Sequence, residues 1–312
     1  MKRILLLSFI TYALCISSCG LPPKPSIDVT RLSENYRSEV FFKDTSILSQ
    51  PSGIACLNGH VVVSDYDSHT LIIFDMDGNC ISIIGELGSA PMQFNCPGSM
   101  TYFDGILYIL DIGNRRIQCL NSDLEYIESI YLWEETQYYQ FPYTDIAIAA
   151  NGDIHVCSGS LNKDRVGVHR IAGKEYEQVY KKFYGFVDSY NGEVFFINAG
   201  EIVTKNNITM LDVSGQNHLY SFSDNKKTML PSSLYSSDFI VTQDSIIVLS
   251  FDGSSMIMLN RSGEYVETIA DFKIIADDQT NWSINSYIAI DDNGNLYSTN
   301  RNAGTIYKVS HK

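Results

Sequence analysis

Basic residues are scarce in this chain: 22 Lys and Arg stand against 36 Asp and Glu, a formal net charge of −14. That balance argues against nucleic acid and anionic lipid surfaces as partners, since both repel an acidic protein. Cysteine arithmetic is equally restrictive. Beyond Cys15 and Cys19 the chain has Cys56, Cys80, Cys96, Cys119 and Cys157, an odd number at irregular spacing with no CxxC pair. Such a set is no disulfide framework and gives little basis for a cysteine zinc site. The histidines His60, His69, His155, His169, His218 and His311 form no HxxxH pair. There is no G-x-S-x-G elbow, P-loop or dinucleotide fingerprint, so the usual local signatures of hydrolase, nucleotide and cofactor chemistry are missing.

The N-terminus has to be set aside before elements are counted. Lys2 and Arg3 precede an apolar run, Ile4 to Ile16, that is shorter than the roughly 20 residues a membrane-spanning helix needs. Its end, Ile16-Ser17-Ser18-Cys19-Gly20, resembles a bacterial lipobox. The resemblance implies a signal peptide over residues 1–18 and lipidation at Cys19. Removing two basic and no acidic residues takes the formal charge from −14 to −16. Pro22, Pro23 and Pro25 then suit a stiff tether over residues 19–35.

What fills the rest is a repeat. Six turn-plus-strand pieces recur: "NGHVVVSD", "DGILYILD", "NGDIHVCS", "NGEVFFIN", "QDSIIVLS" and "NGNLYSTN". Their anchors, Gly59, Gly105, Gly152, Gly192, Asp244 and Gly294, lie 46, 47, 40, 52 and 50 residues apart. A period near that length fits four short strands and their turns. We label the strands of a unit A to D, the recurring piece being B. The pairs "TLIIFDMDG" and "CISIIG", "RIQCLNSD" and "YIESI", "VGVHRIAG" and "YEQVY", "ITMLDVSG" and "HLYSF", and "MIMLNRSG" and "YVETI" read as C and D strands of units one to five. Unit six ends after "TIYKV" with no D strand, whereas "SEVFFKD" near the start belongs to no unit. Pairing that strand into the last unit would close a ring and leave no open blade edge.

Units one and two, "QPSGIACLNGHVVVSDYDSHTLIIFDMDGNCISIIG" and "CPGSMTYFDGILYILDIGNRRIQCLNSDLEYIESI", resemble NHL repeats. The whole chain is similar to six-bladed β-propeller lipoproteins of Bacteroidota-type bacteria. The expected fold is therefore all-β: a six-bladed propeller of four-stranded antiparallel blades over residues 36–312, completed by the N-terminal strand.

Function has to be read from the loops, since the fold itself does not give it. In propellers the B-to-C turns and D-to-A connections share one rim. Two long D-to-A connections, "YLWEETQYYQFPYTD" and "DFKIIADDQTNWSINSY", hold both tryptophans of the chain. Trp133, Tyr138, Tyr139, Tyr143, Trp282 and Tyr287, together with Arg115 from the turn "DIGNRR", are the candidate ligand-binding residues. Aromatics among polar neighbours suit stacking on sugar rings or gripping a peptide. In "DIGNRR", Asp111 and Asn114 are expected to bond local backbone, and one of Arg115 and Arg116 to pair with an acid of the neighbouring blade. Metal chemistry is the competing class. The resemblance to gluconolactonase-type propellers implies a Glu at the entry to the first A strand, where this chain has Gln50. Asp65, Asp67, Asp111 and Asp164 offer oxygen ligands for Ca2+ at the channel mouth, and no other cofactor is expected. The reading is an envelope lipoprotein, lipid-anchored at the outer membrane, that binds a glycan or a protein partner on its rim without catalysis. The alternatives are a metal-dependent hydrolase or lyase and a structural subunit of an envelope complex.

Overall fold

In the computed structural model, residues 32–132, 143–159, 166–205, 208–212, 218–231, 236–250, 252–276 and 286–312 are described. They form an all-β ring of six antiparallel sheets, with two single-turn 3-10 segments and no α-helix among the described residues. The fold is a six-bladed β-propeller.

The first strand, β1 (Tyr36–Lys43), belongs to the last blade. Blade one is β2 (Pro51–Leu57), β3 (His60–Asp65), β4 (Thr70–Asp75) and β5 (Cys80–Ile84), and blade two is β6 (Pro97–Phe103), β7 (Ile106–Asp111), β8 (Arg116–Asn121) and β9 (Tyr126–Tyr131). Blade three is β10 (Tyr143–Ile148), β11 (Ile154–Ser158), β12 (Gly167–Ala172) and β13 (Glu175–Lys181). Blade four contains β14 (Phe183–Tyr190), β15 (Glu193–Lys205), β16 (Ile208–Asp212), β17 (His218–Ser221) and β18 (Lys227–Met229). Blade five is β19 (Ser236–Val241), β20 (Ser245–Ser250), β21 (Ser255–Asn260) and β22 (Tyr265–Asp271); blade six is β23 (Ile288–Ile290), β24 (Leu296–Asn300) and β25 (Thr305–His311), completed by β1.

The recurring anchor is a tight A-to-B turn. At Asn58-Gly59, Asp104-Gly105 and Asn191-Gly192 both central residues have positive φ, between 48° and 80°. Two consecutive left-handed residues define the type I′ turn whose twist suits a two-residue hairpin, which is why Asn-Gly and Asp-Gly recur there. Period-2 alternation then sends neighbouring side chains to opposite faces of each blade. On β3, Val61 and Val63 enter the seam with blade six, while Val62 enters the seam with blade two. The result is six apolar clusters, one in each seam between adjacent blades, rather than a single central core.

Ring closure follows the expected scheme. β1 pairs with β25 from Tyr36 opposite His311 to Lys43 opposite Thr305. Phe41 and Phe42 pack their rings on Phe74 of blade one, and Phe41 also meets Tyr297 of blade six, so aromatic burial reinforces the backbone ladder. The four residues before β1 lie against the ring: the Ser33 N–H donates to the Thr268 carbonyl at 2.8 Å and Lys312 N–H to Asn35 O at 2.8 Å. Residues 1–31, with the expected signal peptide, Cys19 and most of the tether, lie outside the described residues.

Blade four departs from the sequence expectation. "ITMLD" is not its C strand; it is β16, which folds back on the far end of β15, from Glu201 opposite Asp212 to Lys205 opposite Ile208. The C strand is β17, expected as D, and the D strand is β18. Alternation marks a segment as a strand but says nothing of its partner. The 13-residue β15 outruns its blade and takes an inserted strand before the chain returns.

Candidate functional site

The B-to-C turns and D-to-A connections form the rim, and the turn of blade two shows how it is held. Asp111, fully buried, ends β7 and receives the Asn95 N–H at 2.7 Å, the Asn114 amide at 2.8 Å and Arg116 Nε at 2.8 Å. Arg116, only 2% exposed, also donates to the carbonyls of Ser89, Ala90 and Gln93 at 2.7 to 3.0 Å. Asn114 reaches the Gly88 carbonyl at 2.7 Å. The arginine pairs with an acid of its own blade, not the neighbouring one. Its remaining donors pin the connection 85–96 onto the turn, because a planar guanidinium can serve several carbonyls at once. "DIGNRR" is therefore a staple.

On blade one, Asp65 is likewise spent on structure: it accepts from Ser49 Oγ at 2.6 Å, Gln50 N at 2.8 Å and Ser68 N at 2.9 Å. Gln50 Oε1 accepts two N–H bonds from Arg301 of blade six, at 2.9 and 2.7 Å. That guanidinium lies over the Tyr66 ring, 4.5 Å from its centroid. The Cys96 N–H donates to His69 Nδ1 at 3.0 Å. Burial raises the Tyr66 phenol to about 12.

Along the axis the six A strands line a cavity of about 200 Å3. Three acids enter it from consecutive blades. Asp145 on β10 accepts from Val187 N of blade four at 2.9 Å, Asp188 on β14 from Val241 N of blade five at 2.7 Å, and Asp238 on β19 from Ile288 N of blade six at 2.8 Å. Each carboxylate thus covers a backbone donor on the innermost, otherwise unpaired edge of the next blade. Ser99 of blade two extends the series, its hydroxyl donating to Asp145 at 2.6 Å. Burial raises both Asp145 and Asp188 to about 7, against the lowering effect of these hydrogen bonds. It also holds Asp238 well above the carboxylate range, with Asp145 adding to the rise.

Among the described residues no group of three or more His, Cys, Asp and Glu side chains is placed to hold a metal ion. Of the acids considered for Ca2+, Asp65 and Asp111 are engaged as above, Asp67 is exposed, and Asp164 lies outside the described residues.

Of the candidate ligand residues, Trp133, Tyr138, Tyr139 and Trp282 lie outside the described residues. Arg115 is exposed, in a left-handed conformation at the end of the 3-10 turn Ile112–Asn114. Tyr143 is half-buried at the start of β10, its hydroxyl 3.5 Å from that of Tyr176. Tyr287 is not on the surface: it is 8% exposed, lines the cavity, and donates its hydroxyl to the Thr144 carbonyl at 2.5 Å, bridging blades six and three. Tyr287 immediately precedes β23, the strand of blade six that lines the channel, and so it faces the cavity. The channel acids were missed from sequence, although the signal was present as an Asp inside the apolar strands "TDIAI" and "SDFIV".

No family model matches the chain, and no curated protein matches it. Its fold is shared with solved structures. One is a structural-genomics protein of unknown function from Bacteroides thetaiotaomicron, with TM-score 0.62 and 11% identity over 89% of this chain and 76% of that one. Another is the calcium-binding protein regucalcin from Agrobacterium tumefaciens, with TM-score 0.59 and 9% identity over 88% and 94%. Virginiamycin B lyase from Staphylococcus aureus gives TM-score 0.54 and 14% identity over 89% and 100%. At these identities the likeness is one of fold.

Proposed function

We propose that this propeller is a non-catalytic recognition module of the bacterial cell envelope, held by a lipid at Cys19 and binding a glycan or a protein partner on its rim. One observation carries the reading: the acids of the channel are committed to backbone donors of adjacent blades, while the departures from the regular repeat gather on the rim. The channel oxygens that would otherwise serve a metal or a general base hold the ring together instead. On the rim lie the blade-four hairpin of β15 and β16, the stapled connection 85–96 and the Tyr66–Arg301 pair. Rigid blades positioning rim aromatics lower the ordering cost of binding.

Lyase and calcium-binding neighbours raise the enzyme alternative, in which channel acids act with a metal. No contact described above favours it over recognition. The test is binding of a glycan and peptide panel by residues 32–312, repeated with Trp133→Ala and Trp282→Ala. The recognition reading expects a response lost in at least one variant. A ligand whose binding survives both substitutions, or one that is turned over, would contradict it. Radiolabelled palmitate incorporation abolished by Cys19→Ser checks the anchor separately.

A further inference from the structure

The outer edge of blade five is half covered, and the way the chain arrives there indicates what belongs on the rest. β22 is the last strand in the order β19-β20-β21-β22, so its outward N–H and C=O groups face no further strand of that sheet. Residues just ahead of β1 cover its second half. Leu32 bridges Thr268 in the parallel sense, and the Ser33 N–H donates to the Thr268 carbonyl at 2.8 Å. Thr268, Ile269 and Ala270 are buried there. The first half is open: Val266 is 51% exposed and stands opposite no residue of β21. An apolar residue on an unpaired edge is a liability that proteins cover or charge. The parallel bridge also fixes the direction of approach, since residues upstream of Leu32 then lie toward Glu267, Val266 and Tyr265.

We propose that residues 27–31, which lie outside the described residues, dock as an added strand parallel to the first half of β22. Continued in register, Arg31 comes beside Glu267, Thr30 beside Val266 and Val29 beside Tyr265. Opposite charges meet in the first pair, and "IDVTR" is rich in the β-branched residues that suit a strand. The ladder alternates as parallel pairing requires, with the Arg31 N–H donating to the Val266 carbonyl and the Val266 N–H to the Val29 carbonyl. The consequence is orientation. β22 runs from the C-to-D turn that follows Asn260 to the rim connection after Asp271, so a parallel segment enters from the end away from the rim. The eight residues from Cys19 to residue 27 reach at most roughly 29 Å. A lipid at Cys19 then holds the propeller close to its membrane with the rim turned outward. That last step rests on the lipid-anchor reading, whereas the docking does not.

The experiment is disulfide trapping in the full chain in detergent, with links mapped by peptide mass spectrometry. Thr30→Cys combined with Val266→Cys is expected to link within one chain under mild oxidation. Thr30→Cys combined with Ile83→Cys, an equally exposed position at 52% on β5 of blade one, is expected not to link. Arg31→Pro, which removes the donor to the Val266 carbonyl, is expected to speed amide exchange at Val266 by about ten-fold or more. Its melting temperature, expected near wild type, separates a lost dock from a lost fold. Cys19→Ser is expected to leave the link unchanged, so a failed anchor and a failed dock read differently. The docking would be overturned by absence of the link to position 266, by equal linking to position 83, by a link between two chains, or by unchanged Val266 exchange in Arg31→Pro.

Discussion

The buried channel acids predict an unusual pH dependence of stability, with its sign set by the direction of their shifts. In the unfolded chain an Asp ionises near 3.8, whereas in the folded ring Asp188 and Asp145 ionise near 7. Between those values the folded state holds protons that the unfolded state has released. Stability is therefore fully present below pH 4 from this source and is lost as pH rises to about 7. A difference of about 3 pH units at 1.36 kcal/mol each amounts to about 4 kcal/mol for one such acid. Asp238, shifted the same way, adds to the trend. His155 opposes it: burial lowers its pKa, so its contribution is present above about 6.5 and lost in acid. Three acids against one histidine leave a net loss between pH 5 and 8. The perturbation that isolates one acid is Asp188→Asn, which keeps an oxygen for the Val241 N–H and removes the titration. Guanidinium unfolding of residues 32–312 at pH 5 and pH 8 measures both proteins. Wild type should be the more stable at pH 5, and the variant should lose about 2.5 kcal/mol less between pH 5 and pH 8, since only about 2 of the 3 pH units fall inside that range. Because the new amide has unmet donors, the slope rather than the absolute stability decides. Wild-type stability rising from pH 5 to 8, or an unchanged slope in the variant, would refute the reasoning.

Three further outcomes follow from single contacts. Arg116→Met should cost about 3 to 5 kcal/mol in denaturant unfolding, since it leaves Asp111 buried without its cation. Gly53→Ala should lower the melting temperature by several degrees, because the added Cβ would stand 2.3 Å from the Gly98 carbonyl across the seam of blades one and two. Tyr287→Phe should lose about 1 kcal/mol of stability through the missing bond to Thr144 while leaving rim binding unchanged, which calorimetry on both proteins checks.

The ring was largely legible in the sequence because its signals are local. Asn58-Gly59 and Asp104-Gly105 announce hairpins, and a fixed interval between them announces a repeat. The missing D strand of unit six and the surplus strand "SEVFFKD", Ser38 to Asp44, together point to closure, which the pairing of β1 with β25 makes. Blade four failed for a physical reason: β16 and β17 carry equivalent β patterns, and only tertiary pairing decides which one continues the blade. The site was less legible. Arg116 and Asp111 read as a turn, but the carbonyls that Arg116 binds come from residues 23 to 27 positions earlier, beyond any local pattern. Tyr287 reads as a loop aromatic in sequence and becomes a strut only because blade three lies across the channel. The partnership of Tyr66 with Arg301, 235 positions away, exists only once the ring has closed.

Rim recognition without catalysis is tested most directly by the melting temperature of residues 32–312, read against glycans and peptides in chelator and again in Ca2+ or Zn2+. A ligand at about 100 times its dissociation constant adds roughly 2.7 kcal/mol, a shift of several degrees. The account predicts a ligand shift that chelator leaves intact and that Trp133→Ala or Trp282→Ala removes. A shift that appears only with metal, is reversed by chelator and survives both substitutions would contradict it.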